Sequence, residues 1–386
     1  MPARTAAIAA AEPAGPAPTT THSKDFTALI VPDSHTVDYG KGDQQARPHD
    51  PQGQSMTNGT PQLDLGDQEL AERVAAGLDG VEKLMFERLS SGHDFLNEKV
   101  THLAKAGGKR FRPMMAMLAS EFGDQPQAEN VVKGATIVEM VHLATLYHDD
   151  VMDEAAKRRG VDSANARWTN TVAILSGDFL LAEASRIMSE IDTATVAHFA
   201  DTFSDLVTGQ MRETVGPGEG DPVEHYLNVI REKTGVLIAS AAFLGATHSG
   251  AKDEDVRTLK ELGEAVGMIF QIVDDVIDIF SDSTQSGKTP GTDLREGVFT
   301  LPVLYAMRDS SPAGEELRAM LTGPLIDDAD VARALDLIAQ TDGRQRALDD
   351  VRGYLADVDK HLDALPDIPA NRAIRQISRY TVERVG

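Results

Sequence analysis

Cysteine is absent from the 386 residues, which excludes disulfides, thiolate metal sites and a cysteine nucleophile. Positive charge is scarce: 37 Lys and Arg stand against 61 Asp and Glu, a net charge of −24. A field of that sign repels nucleic acid and anionic membranes, so neither is expected as a partner. No apolar run approaches the roughly 20 residues that cross a bilayer. The opening stretch MPARTAAIAAAEPAGPAP has one Arg and several Ala but lacks the apolar core of a signal peptide. These absences describe a soluble, cytoplasmic protein. Alternating strand patterns and fixed-period repeats are missing as well, which leaves helices to build the fold.

Helical periodicity begins at Asp67. Leu70, Val74, Leu78, Val81, Leu84, Met85 and Leu89 recur at three- and four-residue spacing, as in an amphipathic helix. Further helical runs are predicted over residues 112–121, 128–153, 171–190, 194–215, 225–244, 253–280, 300–308, 329–340, 344–365 and 370–385. The clusters GPGEGDP (216–222) and SDSTQSGKTPGTD (281–293) interrupt them. The expected fold class is all-α, one large single-domain helical bundle over residues 67–386. Residues 1–66 are rich in Pro, Ala, Thr, Gly, Asp and Gln, apart from a short apolar patch at 26–32. They can bury too little surface to offset ordering entropy, and a disordered tail is expected there.

The chain is organised around residues 143–160, LATLYHDDVMDEAAKRRG. Asp149, Asp150 and Asp153, at i, i+1 and i+4, would bring three carboxylates to one side of a helix. Like charges that close raise one another's pKa and call for a cation. Hard oxygen ligands without sulfur point to Mg²⁺. Arg158 and Arg159 follow, with forked donors suited to phosphate oxygens. Taken alone, the motif is equally a solvated helix face. Its recurrence decides the matter. IFQIVDDVID (269–278) sets Asp274, Asp275 and Asp278 at the same spacing among apolar residues, where unpaired carboxylates are costly.

Weaker signals lie around these two. GGKRFRP (107–113) places Lys109, Arg110 and Arg112 within four positions, which suits a diphosphate and equally a water-facing loop. His142 lies two helical turns before Asp149; alone it reads as a hydrogen-bonded core histidine. Lys233, Thr234 and Gly235 in an otherwise apolar helix hint at a local break that points a charge into a cavity, against the default of a snorkelling lysine. Lys288, Asp293 and Arg295 fall in the Gly-rich SGKTPGTDLREG, which follows a helix and lacks the P-loop pattern.

In this order, GGKRFRP, HLATLYHDDVMDEAAKRRG, GDFLLAEA (177–184), REKTG (231–235), FQIVDDVIDIF and GKTPGTDLREGVFTLP (287–302), the chain resembles the trans-isoprenyl diphosphate synthase (polyprenyl synthetase) family. The resemblance implies a bundle of the farnesyl diphosphate synthase type, its two Asp motifs facing each other across a central cavity. It implies a prenyltransferase that joins isopentenyl diphosphate head-to-tail (1'-4) to an allylic diphosphate, farnesyl or geranylgeranyl. Asp149, Asp150, Asp153 and Asp274 would hold three Mg²⁺ ions, with Asp275 and Asp278 acting mainly behind them. Arg158, Lys233, Gln271 and Lys288 would contact the allylic diphosphate, while Lys109, Arg112, His142 and Arg159 would hold isopentenyl diphosphate. Thr234 would line the reacting carbons. A homodimer is implied, with at most a peripheral membrane contact for product release. One departure stands out: GVFTLP (297–302) has Val298 where many relatives carry Lys.

Short-chain members of that family block their product tunnel with an aromatic residue four or five positions before the first Asp. Those positions here are Ala144 and Thr145. HLATLYHDD resembles long-chain synthases of quinone side chains, so a medium or long all-trans product for menaquinone is expected. The alternative is that Ala144 and Thr145 merely pack against a neighbouring helix above a deeper floor, which would give a geranylgeranyl-type enzyme. A non-catalytic partner subunit of a heteromeric synthase would have lost one Asp triplet or the basic clamps, and both are intact. A terpene cyclase would show an NSE-type second motif and many pocket aromatics, against a full DDxxD and 5% aromatic content here.

Overall fold

The computed structural model describes residues 65–90, 94–280 and 290–385. Most of the predicted tail, its apolar patch and Lys288 lie outside these residues. Helices α1 (Gln68–Leu89), α2 (Asp94–Val100) and α3 (His102–Lys105) lead to α4 (Phe111–Ser120) and α5 (Glu129–Met152). A two-stranded hairpin, β1 (Lys157–Arg158) and β2 (Val161–Asp162), precedes α6 (Ala164–Arg167), α7 (Asn170–Ser189) and α8 (Thr193–Val215). Then α9 (Pro222–Ile230) passes through a π-helical turn (Arg231–Gly235) into α10 (Val236–Ser249), followed by α11 (Asp253–Phe280). Helices Thr292–Glu296, Leu301–Arg308, Pro312–Met320, Asp328–Ala339, Gly343–Asp363 and Pro369–Glu383 complete the described chain.

Local chemistry sets the helix starts. Asp67 caps α1 by accepting from the Leu70 N–H at 2.9 Å, and Asp192 caps α8 through Thr195 at 2.7 Å. Asp221 does the same for α9, whose first residue is Pro222. Each cap satisfies an N–H that the helix itself cannot, and contributes about 1 kcal/mol. α5 and α10 are apolar on nearly every face and therefore sit at the centre. α5 packs against α7, α4 and α10, and α10 lies in turn against α4 and α11. A separate small core, with Leu294, Val303, Leu317, Val331 and Leu337, joins the helices after residue 290.

Beyond the short helices α2, α3, α6 and Thr292–Glu296, which the predicted runs did not include, three features refine or differ from the sequence expectation. Residues 225–244 are not one regular helix: the local break at which Lys233, Thr234 and Gly235 hinted is a π turn over Arg231–Gly235. A π turn inserts a residue and re-aims its side chains. Here α11 crosses so closely that a Cβ on Gly267 would stand 2.8 Å from the Gly235 Cα. The hairpin was not anticipated. Its two loop residues, Arg159 (φ 52°) and Gly160 (φ 75°), have the paired positive φ of a type I′ turn. RRG carries one glycine where such a turn usually shows Asn-Gly, so the sequence signal is weak. The third feature is the unpredicted helix Pro312–Met320, which Ser311 caps. Among the described residues no helix is long and apolar enough to cross a membrane.

His198 and His248 tie α8 to α10. The His198 ring stacks on Phe243 with centroids 4.0 Å apart and bonds Ser240 at 2.9 Å, while His248 meets Thr195 Oγ1 at 3.1 Å. Burial lowers the pKa of both, that of His198 to about 4. The unfolded chain takes up these protons near pH 6.5 and the folded chain does not, so stability is full above that pH and falls as acid is added. For His198 the loss between pH 7.5 and 5.5 amounts to about 1.4 kcal/mol. Denaturant unfolding at the two pH values should show this loss, and a His198→Gln variant should show a correspondingly flatter dependence.

Candidate active site

The first Asp motif ends α5, with Asp153 as its C-cap. Asp149 and Asp153, one turn apart, line the same cavity of about 120 Å³. Asp150 does not join them. One residue is about 100° around a helix, which turns Asp150 inward, where it has no solvent exposure. It accepts from Arg158 Nε at 2.6 Å. The expectation of three carboxylates on one side is therefore corrected to two on the cavity and one in a buried ion pair. Burial raises the Asp149 pKa, and the Lys233 and Arg158 charges oppose that rise.

The hairpin explains how one short stretch serves two purposes. Arg158, on β1, faces inward to Asp150 and also lines the cavity. Its Nη2 is buried with no hydrogen-bond partner among the described residues. Such a donor costs about 1–3 kcal/mol unless an acceptor arrives. Arg159, in the left-handed turn, points the other way and donates to the Leu103 carbonyl at 3.2 Å and to that of Gly107. Its Nη2 lies 3.5 Å from His142 Nε2.

The GGKRFRP segment divides in a similar manner. Arg110 was grouped with the clamp, but its left-handed backbone directs the guanidinium to Glu139 at 2.9 Å and to the Ala104 carbonyl at 3.0 Å. It braces the loop. Arg112, in the first turn of α4, lines the cavity, whereas Lys109 is half-buried and does not. His142 lines the cavity too, and its pKa falls well below the usual value. Burial is the main cause, and the nearby charges of Arg112, Arg159, Arg158 and Arg110 add to it. The imidazole is thus neutral at pH 7.

The opposite wall comes from the π turn and α11. Lys233, Thr234 and Gln271 all line the cavity. Within the second motif Asp275 is buried and engaged with Gln271 and Tyr226. Asp278 Oδ2 accepts from the Asp293 N–H at 3.2 Å, which ties α11 to the segment after residue 290. Asp274 is half-buried and is not part of the cavity lining. Its charge acts on Arg384 near the C-terminal end, whose pKa burial lowers. Arg295 pairs with Asp328 at 2.7 Å, and neither lines the cavity. Val298, the departure noted in GVFTLP, does line it. Thr145 and Leu146 are in the wall, whereas Ala144 is fully buried and faces away from the cavity.

Sequence reasoning did not single out Glu213. It lines the cavity from α8 and pairs with Lys233, while its neighbour Arg212 holds Glu232 through two bonds of 2.9 and 3.0 Å. Two crossed ion pairs thus fasten the π turn to α8. Oppositely ordered dipeptides, Arg-Glu and Glu-Lys, are the only trace of this in the sequence, and nothing in their spacing marks them. Among the described residues no three carboxylate or imidazole groups converge as a ready metal cluster. The pair Asp149 and Asp153 still fits a hard divalent ion, because Mg²⁺ commonly takes one or two carboxylates and completes its shell with water and phosphate oxygens.

The division of the first motif is open to test. Asp150→Ala leaves the buried Arg158 uncompensated and should cost about 3–5 kcal/mol. Asp153→Asn, on the cavity side, should change stability by less than about 1 kcal/mol. Denaturant unfolding of the two variants measures the contrast.

Residues 93–338 match the polyprenyl synthetase family. Nonaprenyl diphosphate synthase of Mycobacterium tuberculosis is 52% identical over 325 residues, which cover 84% of this chain and 97% of that protein. Heptaprenyl diphosphate synthase component 2 of Geobacillus stearothermophilus is 36% identical, over 80% of this chain and 95% of that one. Among solved structures, geranylgeranyl pyrophosphate synthase of Corynebacterium glutamicum, complexed with calcium and isoprenyl diphosphate, has a TM-score of 0.78 and 61% identity, covering 84% of this chain and 100% of that chain. With a full-length relative of such identity and both Asp motifs inside the matched segment, the chain belongs to the polyprenyl synthetase family.

Proposed function

We propose that this prenyltransferase is a Mg²⁺-dependent trans-polyprenyl diphosphate synthase that adds isopentenyl diphosphate to a farnesyl or geranylgeranyl primer and makes a long all-trans product, a menaquinone side-chain precursor. The observation that carries the reading is one cavity lined by three carboxylates, Asp149, Asp153 and Glu213, and three cations, Arg112, Arg158 and Lys233. Asp149, Asp153 and, from the second motif, Asp274 would hold Mg²⁺. Three ions is the number that the family resemblance implies. When bound, the metal supplies positive charge to the diphosphate oxygens as the allylic C–O bond breaks.

This chain's own residues do the remainder. The Nη2 of Arg158, which has no hydrogen-bond partner among the described residues, donates to a diphosphate oxygen, and Lys233 exchanges Glu213 for the same group. Arg112 and the neutral His142 orient isopentenyl diphosphate from the α4 side. Arg159 keeps the GGK loop in place through its backbone bonds. The double bond of isopentenyl diphosphate attacks the allylic carbon, and the departed diphosphate takes the proton that is lost. Asp150 and Asp275 serve by anchoring Arg158 and Gln271, and Lys288, outside the described residues, belongs to the proposed diphosphate contacts.

Product length rests on Thr145 and Leu146, since among the described residues no aromatic side chain lines this cavity. A second reading, a geranylgeranyl-type synthase, is favoured by the name of the Corynebacterium structure. Purified protein with Mg²⁺, isopentenyl diphosphate and either primer should give a ladder of products extending past geranylgeranyl diphosphate. A stop at geranylgeranyl favours the second reading, and no product at all defeats both. In the first case Thr145→Phe should shorten the ladder by several isoprene units.

We place the enzyme in the cytoplasm as a homodimer. In support, α7 and α8 bear Ile174, Leu175, Val196, Val207, Met211 and Val215, all exposed in the single chain. Large apolar side chains gathered on two adjacent helices favour association. Size-exclusion chromatography with light scattering should give twice the chain mass, and a Leu175→Glu, Met211→Glu double variant should elute as a monomer.

A further inference from the structure

Tyr226, in α9, is not part of the cavity wall, yet an unbroken series of hydrogen bonds joins it to that wall. Its Oη donates to Asp275 Oδ2. Gln271 Nε2 donates to the other oxygen, Oδ1, at 2.9 Å. Thr234 Oγ1 donates to Gln271 Oε1 at 3.1 Å. All four side chains are buried, and the last two, Gln271 and Thr234, line the cavity. The series crosses from α9 through α11 to the π turn, where the close approach of Gly267 to Gly235 holds those two elements together.

The direction of every bond follows from one group. Both oxygens of Asp275 are occupied as acceptors, Oδ2 by the Tyr226 phenol and Oδ1 by the Gln271 amide nitrogen. Tyr226 must therefore donate to Asp275, and Gln271 must present its NH₂ side. The amide oxygen is then left facing Thr234, whose hydroxyl must in turn donate. An amide orientation is ordinarily ambiguous by half a turn, but here the carboxylate removes the ambiguity. With its proton committed to Gln271, Thr234 shows the cavity only lone pairs. An oxygen fixed in that sense stabilises positive charge on a nearby carbon and costs no reorganisation when the charge develops.

We propose that Tyr226 and Asp275 are positioning residues of the prenyl-transfer site: they fix the amide of Gln271, and through it turn the lone pairs of Thr234 toward the reacting carbons. This inference rests on the function proposed above. It gives Asp275 a role distinct from metal binding, although it belongs to a DDxxD motif. It also gives a role to a tyrosine that no motif marked. Burial, followed by the Asp275 charge, raises the Tyr226 pKa well above the usual value, so the phenol remains a donor throughout the working pH range.

The test pairs kinetics with stability. Tyr226→Phe removes one donor at nearly constant volume and should lower kcat about tenfold, leaving both substrate KM values and the Mg²⁺ concentration for half-maximal activity unchanged. Asp275→Asn can donate to Gln271 and invert the series, so that Thr234 turns its proton into the cavity; its kcat should fall further, again with the Mg²⁺ requirement unchanged. A several-fold shift in that requirement for Asp275→Asn, or an unaltered kcat for Tyr226→Phe, overturns the proposal. A second measurement needs no activity. In a double-mutant cycle of Tyr226→Phe and Thr234→Val, two residues linked only through Asp275 and Gln271, the unfolding midpoints should be non-additive. Additive midpoints overturn the proposal. A wild-type protein without prenyl-transfer activity would defeat the proposed function, while the cycle would still decide whether the series is coupled.

Discussion

Charge buried inside an all-helical body must be compensated, and the rest of the site depends on one such compensation. The Asp150–Arg158 pair, at 2.6 Å and almost without solvent exposure, holds the hairpin against the end of α5. With that contact in place, Arg158 faces the cavity and the turn residue Arg159 reaches back to the GGK loop. A pair of this kind adds little net stability over apolar side chains of the same shape, but it is costly to break. Its contribution is therefore geometric. It fixes where two guanidinium groups stand in relation to Asp149 and Asp153.

The cavity follows the same economy of charge. Asp149, Asp153 and Glu213 line it together with Arg112, Arg158 and Lys233, three side chains of each sign. A diphosphate entering alone would upset that balance, and a diphosphate entering with divalent cations would not. Lys233 is held by Glu213 and Glu232 by Arg212, which keeps the π turn in register with α8 until a stronger anion competes. The neutral state of His142 completes the scheme. Among four arginine charges a protonated imidazole would be strongly disfavoured, so it can take part as a hydrogen-bonding group without adding charge.

Much of this was legible in the sequence because it depends on period and residue type. The long helices followed from apolar spacing, and the two Asp triplets, Arg112, Lys233 and Thr234 stood out by residue type, whereas His142 and Gln271 entered only through the family resemblance. One error arises because adjacent residues on a helix point in different directions. Asp150, the second of its doublet, was grouped with its neighbours but is turned into the protein, whereas Asp275, expected mainly behind the metal ligands, is buried. Arg110 differed for another reason, a left-handed backbone at the α4 N-cap that sequence does not announce. Glu213 and Tyr226 could not be found at all, because their partners lie 20 and 49 positions away and only the packing of α8, α9 and α11 brings them together.

Arg158 uses its nitrogens for different clients: Nε serves Asp150, while Nη2 is held in reserve inside the protein. The rigid guanidinium plane sets the angle between the two, so whatever anchors one end aims the other. A lysine carries the same charge but concentrates it on a single rotating head. It could satisfy the internal carboxylate or reach the ligand, and would have to abandon one to do the other. At this position arginine is thus less a source of charge than a bracket with a fixed angle, and shape rather than charge restricts what can replace it.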